Sequence, residues 1–139
     1  EERRKPSAVI GTRPRGRILV MDDEEVIRGV AGELIRAVGH EAEFAAHGKE
    51  AVERYREAKQ SGRPYDAAIL DLTIRGGMGG AETLHKLLEM DPEVKAVVSS
   101  GYSDDPVIAA FREHGFRAFL KKPYNVDNLR EVLNTLLDS

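Results

Sequence analysis

Three carboxylates, a lysine and a serine hold the chemistry of this sequence. Asp22 and Asp23 follow the apolar run Ile18-Leu19-Val20-Met21. Asp71 ends the run Ala67-Ala68-Ile69-Leu70. Ser100 follows a run with Val97-Val98 at its centre, and Lys122 follows Phe119-Leu120. Carboxylates brought close together repel, so one takes up a proton or a cation joins them. An oxygen-only donor set, with no His or Cys at matching positions, suits a hard cation such as Mg²⁺ or Mn²⁺. A lysine across the site offers a compact positive charge to a phosphoryl oxygen. A serine hydroxyl and loop N–H groups can bind the remaining oxygens. The glycines after Asp71, from Gly76 to Gly80, let the backbone approach closely. This set fits phosphoryl transfer to a carboxylate, where positioning and charge neutralisation do most of the catalysis.

The elements that must position these groups can be read from periodicity. A short apolar run without alternation reads as a strand buried on both faces, typical of parallel sheets. Such runs occur at 18–21, 67–70, 94–99 and 117–121, with a weaker one at 41–46. Between them lie amphipathic segments. Val26, Ile27, Val30, Leu34, Ile35 and Val38 mark a first helix, which Gly39 ends. Asp22 or Asp23 is expected to cap it. Ala51, Val52, Tyr55 and Ala58 mark a second helix over 49–60, and Leu84, Leu87 and Leu88 a third over 81–90. Asp105-Pro106 reads as N-cap and first residue of a fourth helix over 107–114, closed by Gly115. Leu129, Val132, Leu133, Leu136 and Leu137 mark a fifth over 126–137. Alternation of this kind predicts an α/β fold: a doubly wound, five-stranded parallel sheet with five helices. Right-handed crossovers then bring every strand's C-terminal end to one edge, where such folds bind ligands. Each acidic group, the serine and the lysine sit where a buried strand stops. One such coincidence is cheap; several in register are not.

Composition bounds the alternatives. The chain of 139 residues carries a net charge of −3 and no cysteine, which excludes disulfides, thiolate chemistry and Cys-ligated zinc. The charge makes no case for nucleic acid. No apolar run approaches the roughly 18 residues of a membrane span, so no membrane contact and a cytoplasmic location are expected. Residues 1–16, with Arg3, Arg4, Lys5, Arg13 and Arg15 among Pro6, Gly11, Pro14 and Gly16, read as a basic flexible tail or linker, and 17–139 as one folded domain. His40, His47, His85 and His114 show no metal spacing and head no phosphodonor box; surface or helix-end roles are expected. Tyr55, Tyr65, Phe44 and Tyr124 read as packing residues, and Met78 as loop packing or a partner contact.

The pieces Ile18 to Glu24, Ala68-Ile69-Leu70-Asp71-Leu72, Val98-Ser99-Ser100-Gly101-Tyr102 and Phe119-Leu120-Lys121-Lys122-Pro123 occur in the order and spacing of the bacterial response-regulator receiver domain. The chain resembles that family from about Arg17 to Leu137. The stretches Asp71 to Gly80 and Ser100 to Pro106 resemble the receiver modules of hybrid sensor histidine kinases. The resemblance implies a flavodoxin-like sheet of order 2-1-3-4-5. It implies that Asp71 accepts a phosphoryl group from a phosphohistidine. It places Mg²⁺ on Asp22, Asp23, Asp71 and the Thr73 backbone carbonyl, with Asp23 a more direct ligand than Asp22. Lys122 would contact the acyl phosphate, and its bond to Pro123 can be cis. Ser100 and Phe119 would be the switch residues, passing the change to the face of helix four, strand five and helix five. A cognate histidine kinase or histidine phosphotransfer domain is the implied partner, and a monomer or weak phosphorylation-dependent dimer the implied state. Such a module catalyses its own phosphorylation and dephosphorylation, and the chain shows no kinase catalytic domain.

Departures qualify the match. Many relatives carry proline where Arg75 stands, so the loop is expected to be looser or to contact a partner. Phe119 lacks a hydroxyl, so its switch could only change packing. Thr73 and Tyr102 stand where dephosphorylation is influenced in the family. With the last helix ending close to Ser139, output is expected from a partner, upstream sequence or onward relay. The competing readings are a stand-alone regulator, a non-phosphorylated interaction module of the same fold, and an aspartyl-phosphate hydrolase or nucleotide binder. The last lacks any GxxxxGK[ST] loop.

Overall fold

The computed structural model describes residues 16–101 and 104–138. The expected tail lies outside them but for Gly16, as do Tyr102 and Ser103. Ten elements alternate: β1 (Arg17–Met21), α1 (Glu25–Ala37), β2 (Glu41–Ala45), α2 (Gly48–Gln60), β3 (Ala67–Asp71), α3 (Gly80–Met90), β4 (Ala96–Ser100), α4 (Pro106–Ala109), β5 (Ala118–Lys121) and α5 (Val126–Leu137). All strand pairs are parallel, in the order β2-β1-β3-β4-β5. The expected α/β architecture is therefore the observed one.

Side chains alternate across each strand, and the core splits accordingly. Leu19, Met21, Ala68, Leu70, Ala96 and Val98 face α2, α3 and α4. Ile18, Val20, Ala67, Ile69, Val97 and Leu120 face α1 and α5. β3 and β4 are buried along their whole length, which is why their runs show no polar alternation. No helix among the described residues is long and apolar enough to cross a membrane.

Three expectations need correction. The fourth helix is a single turn, Pro106–Ala109, with the expected Asp105 cap accepting from the Val107 N–H at 2.8 Å. Beyond Ala110 the chain turns through short-range bonds, His114 N–H to Phe111 O and Gly115 N–H to Arg112 O. A short helix holds mainly by burying an apolar face, and Ile108 alone of this turn is buried. In α1, Val26 and Val30 lie on the solvent side, 75% and 43% exposed, while Ala31, Gly32 and Ile35 are buried. The helix rotates this way because Gly32 lets the Phe44 ring of β2 approach; a Cβ there would meet the ring at 2.6 Å. Nor does an aspartate cap α1. Glu24 holds the cap position, and the Asp22 carboxylate accepts the Glu24 N–H at 2.9 Å.

Candidate functional site

Register assembles the site. Met21 pairs with Ala45 on one side and Leu70 on the other, so the next residues, Asp22 and Asp71, are neighbours at the ends of β1 and β3. Asp71 pairs with Ser99, and Ser100 with Lys121, which places Ser100 and Lys122 beside them. Backbone bonds carry the ladder one step past the strands: Asp22 N–H to Ala45 O, Leu72 N–H to Ser99 O, and Lys122 N–H to Ser100 O. The loop after β3 must then fold back tightly. A Cβ on Gly79 would collide with the Leu72 carbonyl oxygen, and one on Gly80 would lie 2.8 Å from that of Asp71. Only glycine permits this approach.

The side chains converge on an open cleft of about 430 Å³, lined by Asp23, Asp71, Thr73, Arg75, Ser100 and Lys122 among others. Carboxylate oxygens of Asp22, Asp23 and Asp71 lie within 4.8 Å of one another. Lys122 Nζ bridges two of them, 2.7 Å from Asp22 Oδ2 and 3.0 Å from Asp71 Oδ2. Asp22 is fully buried, Asp71 and Ser100 nearly so. The Lys122–Pro123 bond is cis.

This crowding shows in the electrostatics. Burial pushes the Asp71 carboxyl up; the Lys122 hydrogen bond pulls it back, and the Asp22 charge pushes again, leaving it raised to about 6. For Lys122, burial favours the neutral amine, but hydrogen bonds to Asp22 and Asp71 outweigh it and hold the ammonium well above its ordinary value. Asp23 lies on the wetter side. Its burial favours the acid, yet hydrogen bonds from Arg75 dominate and hold it below the usual carboxylate range. The donor set is oxygen-only, clustered and short of positive charge, so it fits a hard divalent cation.

Every expected site residue thus reaches one edge, with Phe119 half-buried one strand pair away, opposite Val98. Asp71 divides its oxygens: Oδ1 accepts the Thr73 N–H of the turn at 3.4 Å, and Oδ2 faces Lys122 Nζ. Three partners were not read from the sequence. The loop expected to be loose is tied down, since the Arg75 N–H and Nε both donate to Asp23 Oδ2, at 3.2 and 3.1 Å. Arg28 donates to the Asp22 carbonyl at 2.7 Å, and the Tyr124 hydroxyl to Ser99 Oγ at 3.1 Å. The available signal for the first was the non-proline at 75, which leaves an N–H to donate. Met78 packs against Gly48 within its own chain. His40, expected at the surface, is buried and accepts the Gly16 N–H at Nδ1, whereas His47 caps α2 as a helix-end residue. A larger cleft of about 520 Å³ opens at the opposite edge of the sheet. Its acidic lining, Asp66, Asp91, Glu93 and Asp138 against Lys95, would repel a phosphoryl group.

Comparison with known proteins agrees with this geometry. Residues 18–134 match the family model described as the response regulator receiver domain. The chain is 29% identical over 119 residues to the chemotaxis protein CheY of Thermotoga maritima, covering 85% of this chain and 94% of that one. It is 27% identical over 121 residues to sporulation initiation phosphotransferase F of Bacillus subtilis, covering 87% and 93%. A third relative, a response regulator receiver protein of Anaeromyxobacter, is 32% identical over 116 residues, but the chain spans 46% of its length. Among solved structures, the receiver domain of NtrX from Brucella abortus superposes with a TM-score of 0.79 at 26% identity, covering 88% of this chain and 98% of that one. The receiver domain of a sensor histidine kinase from Pseudomonas aeruginosa has a TM-score of 0.79 at 19% identity, covering 91% and 100%, and holds a magnesium ion in its active site cleft. With strand order, acidic cluster and family model in agreement, the chain belongs to the response-regulator receiver domains of two-component signal transduction.

Proposed function

We propose that this domain accepts a phosphoryl group on Asp71 from a phosphohistidine of a partner histidine kinase or phosphotransfer protein. The observation that carries the reading is the bridge from Lys122 to both Asp22 and Asp71, at the edge of a cleft with room for a phosphoryl group. An Asp71 carboxylate oxygen attacks phosphorus. The P–N bond breaks, its electron pair returns to the imidazole, and the imidazole takes a proton. Lys122 stays charged throughout and turns from Asp71 towards a phosphoryl oxygen as the acyl phosphate forms. Ser100 sits where its hydroxyl can meet a second oxygen. Asp22, Asp23, Asp71 and the Thr73 carbonyl are the groups that would hold Mg²⁺, which supplies charge neutralisation between carboxylates and phosphoryl oxygens. The oxygen cluster and its lack of His or Cys support that choice over zinc.

Signal output follows the weakest part of the fold. A shift at Ser100 reaches β5 through the Ser100–Lys121 and Val98–Phe119 pairs, and Phe119 packs, with Val107 and Phe111, against the cluster that includes Ile108. The single turn of α4 gives that face little to resist repacking, so it is the bistable element. A parent chain of the hybrid-kinase type rests on the sequence resemblance alone. The test is mass spectrometry after acetyl phosphate and Mg²⁺, on wild type and Asp71→Asn. One added phosphoryl group, dependent on Mg²⁺ and absent from the variant, supports the reading. No uptake from acetyl phosphate or from a panel of phosphorylated histidine kinases would leave an interaction module of the same fold.

A further inference from the structure

Arg75 meets the carboxylate of the acidic cluster that Lys122 does not touch. Lys122 bridges Asp22 and Asp71, whereas the Arg75 backbone N–H and Nε converge on a single oxygen, Oδ2 of Asp23. Asp23 is also the carboxylate of the cluster with most access to water. The Arg75 side chain is 79% exposed, and its hydrogen bonds to Asp23, with the Glu24 charge adding to the attraction, hold it over the cleft. We propose that Arg75 is a built-in competitor for the divalent cation: its guanidinium neutralises Asp23 in the metal-free domain and must leave Oδ2 before a cation can use that oxygen. The inference rests on the Mg²⁺ site proposed above.

The physical argument is one of linkage. A cation that takes Asp23 Oδ2 must displace two donors and approach a fixed positive charge. Arginine therefore lowers cation affinity, and the cation in turn releases the arginine by the same factor. An exposed pair of this kind is weak and screened by salt, so the effect is a bias rather than a block. A released guanidinium would then lie at the mouth of the cleft, beside the place where an incoming phosphoryl group must pass.

The experiment is Mg²⁺ titration of the whole chain by calorimetry and by NMR, for wild type, Arg75→Ala, Asp23→Asn and Lys49→Ala. Lys49 stands at the start of α2 on the same edge, outside the cluster, and controls for simple loss of positive charge. Removal of the Arg75 side chain is expected to tighten Mg²⁺ binding about two- to fivefold at low ionic strength, a difference that closes as salt rises. In wild type, the Arg75 Nε–Hε signal should move towards its solvated position in step with Mg²⁺ occupancy. Unchanged or weaker binding in Arg75→Ala overturns the proposal, as does an equal gain in Lys49→Ala. A wild type that binds no Mg²⁺, or binds it equally well as Asp23→Asn, would instead remove the metal site itself.

Discussion

Asp71 is held in a state that costs stability and serves reactivity. Its raised value of about 6, against an ordinary value near 4, means that the folded protein holds this proton more tightly than the unfolded chain. Between those values the native state binds more protons, so the Asp71 contribution to stability falls as pH rises from about 4 to about 6 and stays low above. In the metal-free protein, Asp71→Asn should therefore stabilise the fold at pH 7.5 by on the order of 2 kcal/mol, after discounting for the open cleft, with the gain fading towards pH 4. Urea unfolding at the two pH values checks it; an equal gain at both would refute the linkage. Lys122→Met should act in the opposite sense. It strands the fully buried Asp22 carboxylate beside Asp71, and loss of one partner of a buried pair costs roughly 3 kcal/mol. Without the ammonium the Asp71 carboxyl titrates higher still, so the loss should be largest at pH 7.5 and shrink as pH falls and Asp71 protonates. The same unfolding series reads this, and a pH-independent loss would point to packing instead of charge.

Elements differ in how firmly they are held, and function draws on the difference. α1, α2, α3 and α5 each bury several side chains against the sheet, while α4 buries Ile108. Opening free energy follows buried contact, so amides from Ala109 to Gly115 should exchange much faster than those of α5 in a hydrogen-exchange experiment on the unphosphorylated protein. Protection equal to that of α5 would contradict the proposal that the α4–β5 face is the movable one. The loop after β3 is the rigid counterpart. Gly79→Ala places a methyl against the Leu72 carbonyl, and overpacking of this kind costs about 1–3 kcal/mol. Because that carbonyl is next to Asp71, the variant should also lose phosphoryl uptake at temperatures where it remains folded, which the mass-spectrometric assay would record.

For the molecule as a whole, cation binding and folding are linked. A ligand that binds only the native state adds stability by mass action, about 2.7 kcal/mol at 100 times its dissociation constant. Mg²⁺ should raise the thermal midpoint of this domain in a concentration-dependent way, and Asp23→Asn should abolish the rise. The architecture was legible because the inner strands β1, β3 and β4 are buried on both faces, so Ile18 to Met21 and Ala67 to Leu70 carry no polar alternation and end on their functional residue. The candidate site was legible for the same reason: a strand's last residue must emerge at the C-terminal edge whatever the rest of the chain does. Local pattern could not say that Val26 and Val30 turn outward, because that depends on how closely the Phe44 ring approaches Gly32 from another strand. It could not limit α4 to one turn either, since helical spacing at Val107, Ile108 and Phe111 does not reveal how little sheet remains for them to cover. The grip of Arg75 on Asp23 joins residues 52 positions apart. The sequence by itself determined which groups reach the edge, because burial along a strand is a local property. Tertiary structure alone decided which of those groups touch, because ångström-scale pairing depends on register between strands and on the path of the loops that join them.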